Sequence, residues 1–407
     1  MKERAVKREY IKAGEYLIQI MGSVLNGTPA PEIPKGVSWG LLYDLARRGA
    51  VSGLCFYAVE TLKERPENEI YARWKKDRDR MVYRKLCFDA EREEILKELA
   101  GRGISCLPLK GILLSEYYPN PGMREMVDND ILYGLVEENV SGTGFCIHGR
   151  SEEEKEQSVK KAGEIAAQVM AERGYELDEE ESYHDAYVKK PMYNFELHRQ
   201  MVSEKVVSSQ YYKEPWRLAV RDTENPFLFH MKDEDEYIFL ISHEYNNHYV
   251  RGDSKLRFLV DLYVFLRRKQ ESMDWEYIER ELGVQKLTQF DQKVRELSGA
   301  LFAGARLTDR QEKLFFFLLD TGADSESAVI EKEVTAKMLL RESVSEGSKL
   351  AYIWNRICLP EESLETYYPF FNRHRYLMPF LMAYRFFKGV SVKRGRLIQE
   401  IRSLWKV

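Results

Sequence analysis

Residues 107–132 read LPLKGILLSEYYPNPGMREMVDNDIL, and this stretch contains the features that predict the fold of the chain. The apolar run before Lys110 is typical of a short strand, and the apolar spacing after Lys110 indicates a helix as far as Tyr118. Two prolines and a glycine then interrupt that helix. Residues 127–133 alternate in character and predict a second strand. A strand, a helix and another strand therefore follow one another here.

Acidic residues occupy alternate positions of the second predicted strand. Asp128 and Asp130 are two residues apart, so their side chains point to the same face of a strand. Neighbouring carboxylates stay ionised only near cations, and a pair of divalent metal ions supplies that charge in phosphoryl transfer. Glu196 lies between Phe195 and Leu197 in a later apolar strand, which predicts that it faces away from them and joins the aspartates. For an isolated D-x-D pair, two solvated acids at a turn are the alternative.

The remaining patterns predict helices on both sides of a mixed segment. Residues 1–100 have helical patterns, and the long helix predicted at 67–100 has a candidate core stripe at Cys87, Ala90, Ile95 and Leu99. The mixed segment is predicted to contain a loop at 134–149, a helix at 151–173 and strands at 175–177, 186–189 and 193–197. Helices are predicted again at 236–248, 255–268, 275–282 and 310–319, with a turn at 322–327.

The order of these elements predicts an α+β fold, in which a small mixed-sheet core is flanked by helical regions. The length of 407 residues is typical of two to three domains. We place an N-terminal helical region at residues 1–100, the core at 101–232 and a C-terminal helical region with a basic tail at 233–407.

The composition excludes several classes of protein. Five cysteines without a C-x-x-C pair indicate neither a disulfide framework nor a zinc site, and favour a reduced, cytoplasmic chain. The charged N-terminus predicts no signal peptide, and no apolar run is long enough to predict a transmembrane helix. The net charge of −4 is not that of a general nucleic-acid coat protein. Walker, G-x-G-x-x-G and G-x-S-x-G motifs are absent, so nothing indicates a kinase, dinucleotide or serine-hydrolase site.

The C-terminal segment is strongly basic. Residues 371–407 contain nine Lys or Arg and a single acid, which predicts a contact surface for an anionic partner. After Pro379, the apolar residues Phe380 and Tyr384 lie beside Arg385. We interpret this segment as a helix that closes a domain with a solvated basic face. A helix that lies on a membrane or binds nucleic acid is the alternative.

Two features of the later helices could belong to a site. His243 and His248 stand in an H-E-x-x-x-H arrangement, one residue longer than the zinc-protease signature. Five residues along an α-helix place two side chains roughly 140° apart, so we favour a structural role for this pair. Asp261 lies in a mostly apolar helix and needs a partner if it is buried, for which Lys255, Arg257 or the histidines are candidates. An ion pair is the favoured role for Asp261, and a role toward substrate is the alternative.

An ordered set of motifs extends across residues 85–285. It consists of Lys110-Gly111, Tyr118-Pro119, Arg124, Asp128-Asn129-Asp130, Arg173-Gly174-Tyr175 and Glu196-Leu197-His198, followed by His243, His248, Leu256-Arg257 and Asp261-Leu262. This set resembles an uncharacterised bacterial nucleotidyltransferase family within the polymerase-beta-like superfamily. Two positions depart from the superfamily: Lys110-Gly111 replaces a Gly-Ser turn, and Asn129 replaces an apolar residue whose side chain should point to the core.

The resemblance implies metal-dependent nucleotide transfer. Asp128 and Asp130 would bind Mg²⁺ or Mn²⁺, and Glu196 would complete the metal site on the side of the attacking group. The chain would transfer a nucleoside monophosphate from an NTP, with ATP as the expected donor, to a hydroxyl of a protein, an RNA end or a small molecule. Pyrophosphate would be released. A non-catalytic nucleotide- or partner-binding module with the same fold, and a toxin–antitoxin component, are the alternatives.

The resemblance also implies how the phosphates are bound. The backbone at Gly111 would approach a phosphate at the start of a helix, where N–H groups are free. Lys110 would neutralise the triphosphate, and Arg124 would clamp a second phosphate. For both side chains, ordinary surface charge is the alternative.

The helical regions are predicted to complete the site. A core of about 100 residues exposes a shallow face, and binding sites favour clefts between domains. We therefore predict a cleft between residues 101–200 and the helices at 236–268, with Lys255 or Arg257 facing the carboxylates and offsetting phosphate charge. The alternative is that both residues face solvent or pair with acids such as Asp261.

Overall fold

The computed structural model describes residues 2–140, 142, 144–204, 206–320, 326–340, 349, 364, 368–391 and 394–406. The N-terminal helices are α1 (Lys2–Asn26), α2 (Trp39–Arg48), α3 (Ser52–Val59) and α4 (Asn68–Gly101). Buried residues of α1, α2 and α3 share one apolar core with residues from the C-terminal half of the chain, so the two ends of the sequence are packed together.

Helix α4 links that core to the sheet, and its predicted stripe is partly wrong. Ile95 and Leu99 are fully buried, as predicted, but Cys87 is half-buried and Ala90 is exposed. Phe88 takes the core position instead, with its ring centroid 6.2 Å from that of Phe195. Phe88 offers far more apolar area to the sheet than Cys87 or Ala90 does, and this favours the observed rotation of the helix.

The central segment forms a mixed five-stranded sheet. Its elements are β1 (Ser105–Pro108), α5 (Gly111–Ser115), β2 (Asn129–Gly134), β3 (Val136–Glu138), β4 (Phe145–Ile147), α6 (Glu152–Glu172), β5 (Glu176–Glu180), β6 (His184–Lys189), β7 (Tyr193–His198), β8 (Ala219–Arg221) and β9 (Phe229–Met231). The strand order is β1-β2-β7-β6-β5, with β2 and β7 parallel and the other pairs antiparallel. The α+β class with helical flanks is therefore confirmed.

Two sequence predictions in this segment need correction. Residues 134–149 were predicted to be a loop, but they contain the antiparallel hairpin β3–β4. Its strands have only three residues each, too few to show a clear alternation in sequence. The predicted helix after Lys110 is only five residues long as α5. Helix α6 is observed as predicted, and the Ser151 hydroxyl accepts a hydrogen bond from the Glu154 amide at its start.

The C-terminal half is helical in the described residues. Its helices are α7 (Asp233–His243), a π-helical turn (Glu244–His248), a 3₁₀ turn (Tyr249–Arg251), α8 (Arg257–Lys269), α9 (Trp275–Val284), α10 (Thr288–Phe302), α11 (Asp309–Leu319), α12 (Glu326–Leu339), α13 (Pro369–Arg373), α14 (Met378–Ser391) and α15 (Arg394–Lys406). Most of the turn predicted at 322–327 lies outside the described residues, and its last two positions belong to α12. No helix among the described residues has the length and apolar character needed to cross a membrane.

The basic tail differs from a simple closing helix with one solvated face. On α14, Leu381 is buried, but Phe380 and Tyr384 are 71% and 54% exposed. Part of its apolar surface is therefore exposed as well as its basic surface. The division of the chain at residues 100 and 232, and an anionic partner for the tail, stay predictions.

Candidate functional site

The acidic residues meet at the parallel pair of strands. Asp130 on β2 lies directly beside Glu196 on β7 in the strand register. Asp128 comes just before β2, and its side chain is partly exposed. Phe195 and Leu197, on either side of Glu196, are fully buried in the core below the sheet. The alternation along both strands therefore places Asp130 and Glu196 on one face of the sheet, and Ile131, Phe195 and Leu197 on the other.

Asn129 faces the core, as its position on β2 requires. Its side chain is completely buried, and its Oδ1 accepts a hydrogen bond from Nη1 of Arg92 on α4 at 3.0 Å. Arg92 in turn pairs with Asp89 at 2.7 Å. Helix α4 therefore satisfies the Asn129 oxygen, whereas Nδ2 of the same amide is buried without a hydrogen-bond partner among the described residues.

Two histidines adjoin the acids. His198 Nε2 lies 2.9 Å from Asp130 Oδ1 and 3.4 Å from Glu196 Oε2. The ring of His184, on β6, stacks on His198 at 5.0 Å between centroids. Our sequence analysis did not assign either histidine to the site. The spacing of His198 two residues after Glu196 was a usable signal, because it places both side chains on the same face of β7.

Lys110 approaches the same acid from the turn before α5. Its Nζ lies 3.0 Å from Asp130 Oδ1. Its backbone has φ +48° and ψ −115°, a conformation that costs about 1–3 kcal/mol for a residue with a side chain. A backbone hydrogen bond from Leu109 to the Asp130 carbonyl holds this turn against β2. The turn therefore places the ammonium group beside the carboxylate.

The surroundings of the two aspartates move their pKa values in opposite directions. Burial alone would raise the pKa of Asp130, but the Lys110 ammonium and a hydrogen bond from His198 outweigh it and hold that pKa well below its usual range. Burial, together with the charges of Asp130 and Glu196, raises the pKa of Asp128 to about 6. Burial lowers the pKa of His198, but its hydrogen bonds to the two acids outweigh burial and raise it. The site concentrates negative charge and favours a cation.

Arg124 forms a buried ion pair with Asp261 of α8. Its Nε and Nη2 donate to the two carboxylate oxygens at 2.8 and 3.0 Å, and the Tyr118 hydroxyl donates to the same carboxylate at 2.7 Å. Asp261 thus has a partner that our sequence analysis did not consider, while Arg257 is only a distant second at 3.9 Å. Because Nε and Nη2 of Arg124 already donate to Asp261, these two donors are not free to bind a phosphate.

Gly111 makes room for that guanidinium group. A Cβ atom at this position would lie 2.6 Å from Arg124 Nη1, which is closer than atoms can approach. The glycine is therefore explained by the packing of Arg124, without a phosphate. Arg124 in this way supports the turn that carries Lys110.

A cavity of about 830 Å³ separates the acidic face of the sheet from α7, the π-helical turn and α8. Its lining includes the three acids and the cationic or basic side chains Lys110, Arg124, His198, His243, His248, Lys255 and Arg257. Lys255 is exposed, and Arg257 donates through Nη1 to the Glu125 carbonyl at 3.0 Å. Arg257 therefore lines the cleft and also lies near Asp261, and the role of Lys255 or Arg257 in offsetting phosphate charge stays a prediction.

The π-helical turn corrects the predicted separation of His243 and His248 around the helix, while the structural role of the pair stays a prediction. Wider i to i+5 hydrogen bonding brings residues five apart to the same side, so their ring centroids are only 5.4 Å apart. Burial and the charges of Lys110 and His248 hold the pKa of His243 well below its usual range. The pair borders the cavity, although it is not among the described residues grouped closely enough to hold a metal.

Within the described part of the chain, one group of side chains is arranged to hold a metal ion. Asp130, Glu196 and His198 each offer a ligand atom, and these atoms lie within 4.8 Å of one another. Asp128 is not part of this group, although our sequence analysis placed it among the metal ligands. Carboxylate oxygens and an imidazole nitrogen are both suitable metal donors, so the residues present fit a divalent cation.

Comparison with known proteins identifies a family for this fold and site. A family model described as an uncharacterised nucleotidyltransferase matches residues 35–139 and 159–303, well over half of the chain. The match includes all the acids described above. No curated protein and no solved structure matches the chain.

Proposed function

This chain belongs to the uncharacterised nucleotidyltransferase family, and we propose that it transfers a nucleoside monophosphate from an NTP to a hydroxyl acceptor. ATP is the proposed donor, and pyrophosphate is the second product. The observation that carries the proposal is the pairing of Asp130 with Glu196 on parallel strands, at the edge of a cleft of about 830 Å³. A cleft of that size is within the range of small-molecule sites.

Asp128, Asp130 and Glu196 would hold the metal, Mg²⁺ or Mn²⁺. When bound, such ions activate the attacking oxygen and stabilise the leaving group in phosphoryl transfer. In the proposed reaction, the acceptor oxygen forms a bond to the α-phosphorus while the bond between that phosphorus and the pyrophosphate oxygen breaks. Glu196, the more exposed of the paired acids, would face the acceptor and receive its hydroxyl proton as the new bond forms.

The cationic side chains divide into two groups in this proposal. Lys110, Lys255 and Arg257 line the cavity and would offset the charge of the triphosphate. Arg124 is held by Asp261 and would act by positioning the turn at Lys110, with little direct contact to phosphate. This revises the direct phosphate clamp that the resemblance implies for Arg124.

The experiment is a transfer assay with labelled NTPs and fractionated acceptors: protein, RNA and small molecules from a lysate. Asp128→Asn should abolish the transfer of label while leaving the fold intact. Asp178→Asn is the matched control, because Asp178 is an exposed acid on β5. Nucleotide binding without transfer to any fraction would contradict the proposal and support a non-catalytic binding module.

A further inference from the structure

His198 is oriented as a metal-binding histidine is. Its Nδ1 lies 3.3 Å from the Gln200 carbonyl oxygen. A carbonyl can only accept, so Nδ1 carries a hydrogen and Nε2 is the ring nitrogen that faces the acids. A metal ion bound there would replace the hydrogen through which Nε2 contacts Asp130. Metal-binding histidines commonly donate their other N–H to a backbone carbonyl, which fixes the tautomer and the ring plane.

Nε2 of His198 faces two carboxylates. Nε2 lies 2.9 Å from Asp130 Oδ1 and 3.4 Å from Glu196 Oε2. In the structure, Lys110 Nζ lies 3.0 Å from Asp130 Oδ1 and supplies positive charge there, which a bound metal ion would replace. Ligands about 2.1 Å from an ion lie about 3.0 Å apart at right angles and about 3.4 Å apart in a tetrahedron. The observed separations match those between two ligands of one ion.

We propose that His198 is a direct ligand, with Asp130 and Glu196, of a divalent transition metal, and that the site binds Mn²⁺ in preference to Mg²⁺. Mg²⁺ strongly favours oxygen ligands, whereas transition metals bind imidazole nitrogen and carboxylate oxygen together. This inference deepens the proposed nucleotide transfer and rests on it for its catalytic meaning, since it names the class of metal. Lys110 would then turn from Asp130 toward the cleft.

The charge balance of the described residues agrees with this assignment. Two carboxylates and a neutral imidazole bring two negative charges to a divalent cation. All three side chains are shielded from solvent, with exposed fractions of 5%, 24% and 1% for Asp130, Glu196 and His198. Glu196 is the most open of the three, so an ion would retain access to the cleft. The competing arrangement is an imidazolium that pairs with Asp130 and excludes metal.

The test measures metal binding without nucleotide. Mn²⁺ and Mg²⁺ are titrated into the full chain and into His198→Gln, with His230→Gln as the matched control because His230 is exposed on β9. We expect the unaltered chain to bind Mn²⁺ at least about tenfold more tightly than Mg²⁺. His198→Gln should lose at least about tenfold in Mn²⁺ affinity and much less in Mg²⁺ affinity. Equal losses for both metals, or none, would overturn the proposal.

A second measurement does not depend on the variant being folded. Pulsed electron paramagnetic resonance of Mn²⁺ bound to the unaltered chain should show coupling to a directly bound nitrogen nucleus. A spectrum with oxygen and water ligands alone would refute ligation by His198. Failure of the transfer assay would leave these binding results intact. Conversely, full Mg²⁺-supported transfer by His198→Gln would refute this inference while the proposed function stood.

Discussion

Removing the charge of Asp261 should destabilise the protein strongly, because it leaves the Arg124 guanidinium buried without a partner. The side chains of Arg124 and Asp261 are only 9% and 5% exposed, and two hydrogen bonds of 2.8 and 3.0 Å join them. Loss of one partner of such a pair costs about 3–5 kcal/mol. Glu69→Gln is the control, since Arg73 and Glu69 are 64% and 76% exposed and an exposed pair contributes about 0–1 kcal/mol.

Urea unfolding, followed by tryptophan fluorescence and circular dichroism, measures the difference for Asp261→Asn. A double-mutant cycle with Arg124→Leu and Asp261→Leu separates the pair from other effects, and the double variant should be much less destabilised than the sum of the two single variants. A loss of less than about 1 kcal/mol in Asp261→Asn would refute the reasoning. It would mean that Arg124 does not depend on Asp261 and is available to clamp a phosphate.

Three further predictions concern pH, charge and metal. Burial raises the pKa of Glu236 from 4.5 to about 7. The folded state is therefore stabilised by the protonated Glu236 carboxyl fully below about pH 4.5, and this stabilisation is lost as pH rises through 7. The loss is about 3 kcal/mol, and Glu236→Gln should flatten the change in urea midpoint between pH 5 and 8. Lys110→Ala should weaken NTP binding in calorimetry at least about tenfold, and Lys255→Ala only up to about fivefold because Lys255 is exposed; equal effects would argue against this division. A chelator should strongly weaken NTP binding, and equal affinity with and without it would contradict a metal-dependent site.

Local sequence patterns were sufficient to predict many elements of the central mixed-sheet segment. Strand β2 and the position of Asp130 on it followed from alternation, because side chains on a strand repeat every two residues. The same rule placed Glu196 opposite its buried neighbours Phe195 and Leu197. Helix α6 followed from its cap and its acidic first turn. Where strands were three residues long, as in the hairpin β3–β4, the pattern was too short to read.

The tertiary structure alone determined how these parts meet. The register that pairs Asp130 with Glu196 joins strands far apart in the sequence, and nothing local specifies it. The Arg124–Asp261 pair joins residues 137 positions apart, so a motif residue that suggests a phosphate contact is found in an ion pair. The π-helical turn brings His243 and His248 together where an α-helix would separate them. Sequence determines which face of an element a side chain occupies because that depends on local geometry, whereas its partners depend on the packing of distant elements.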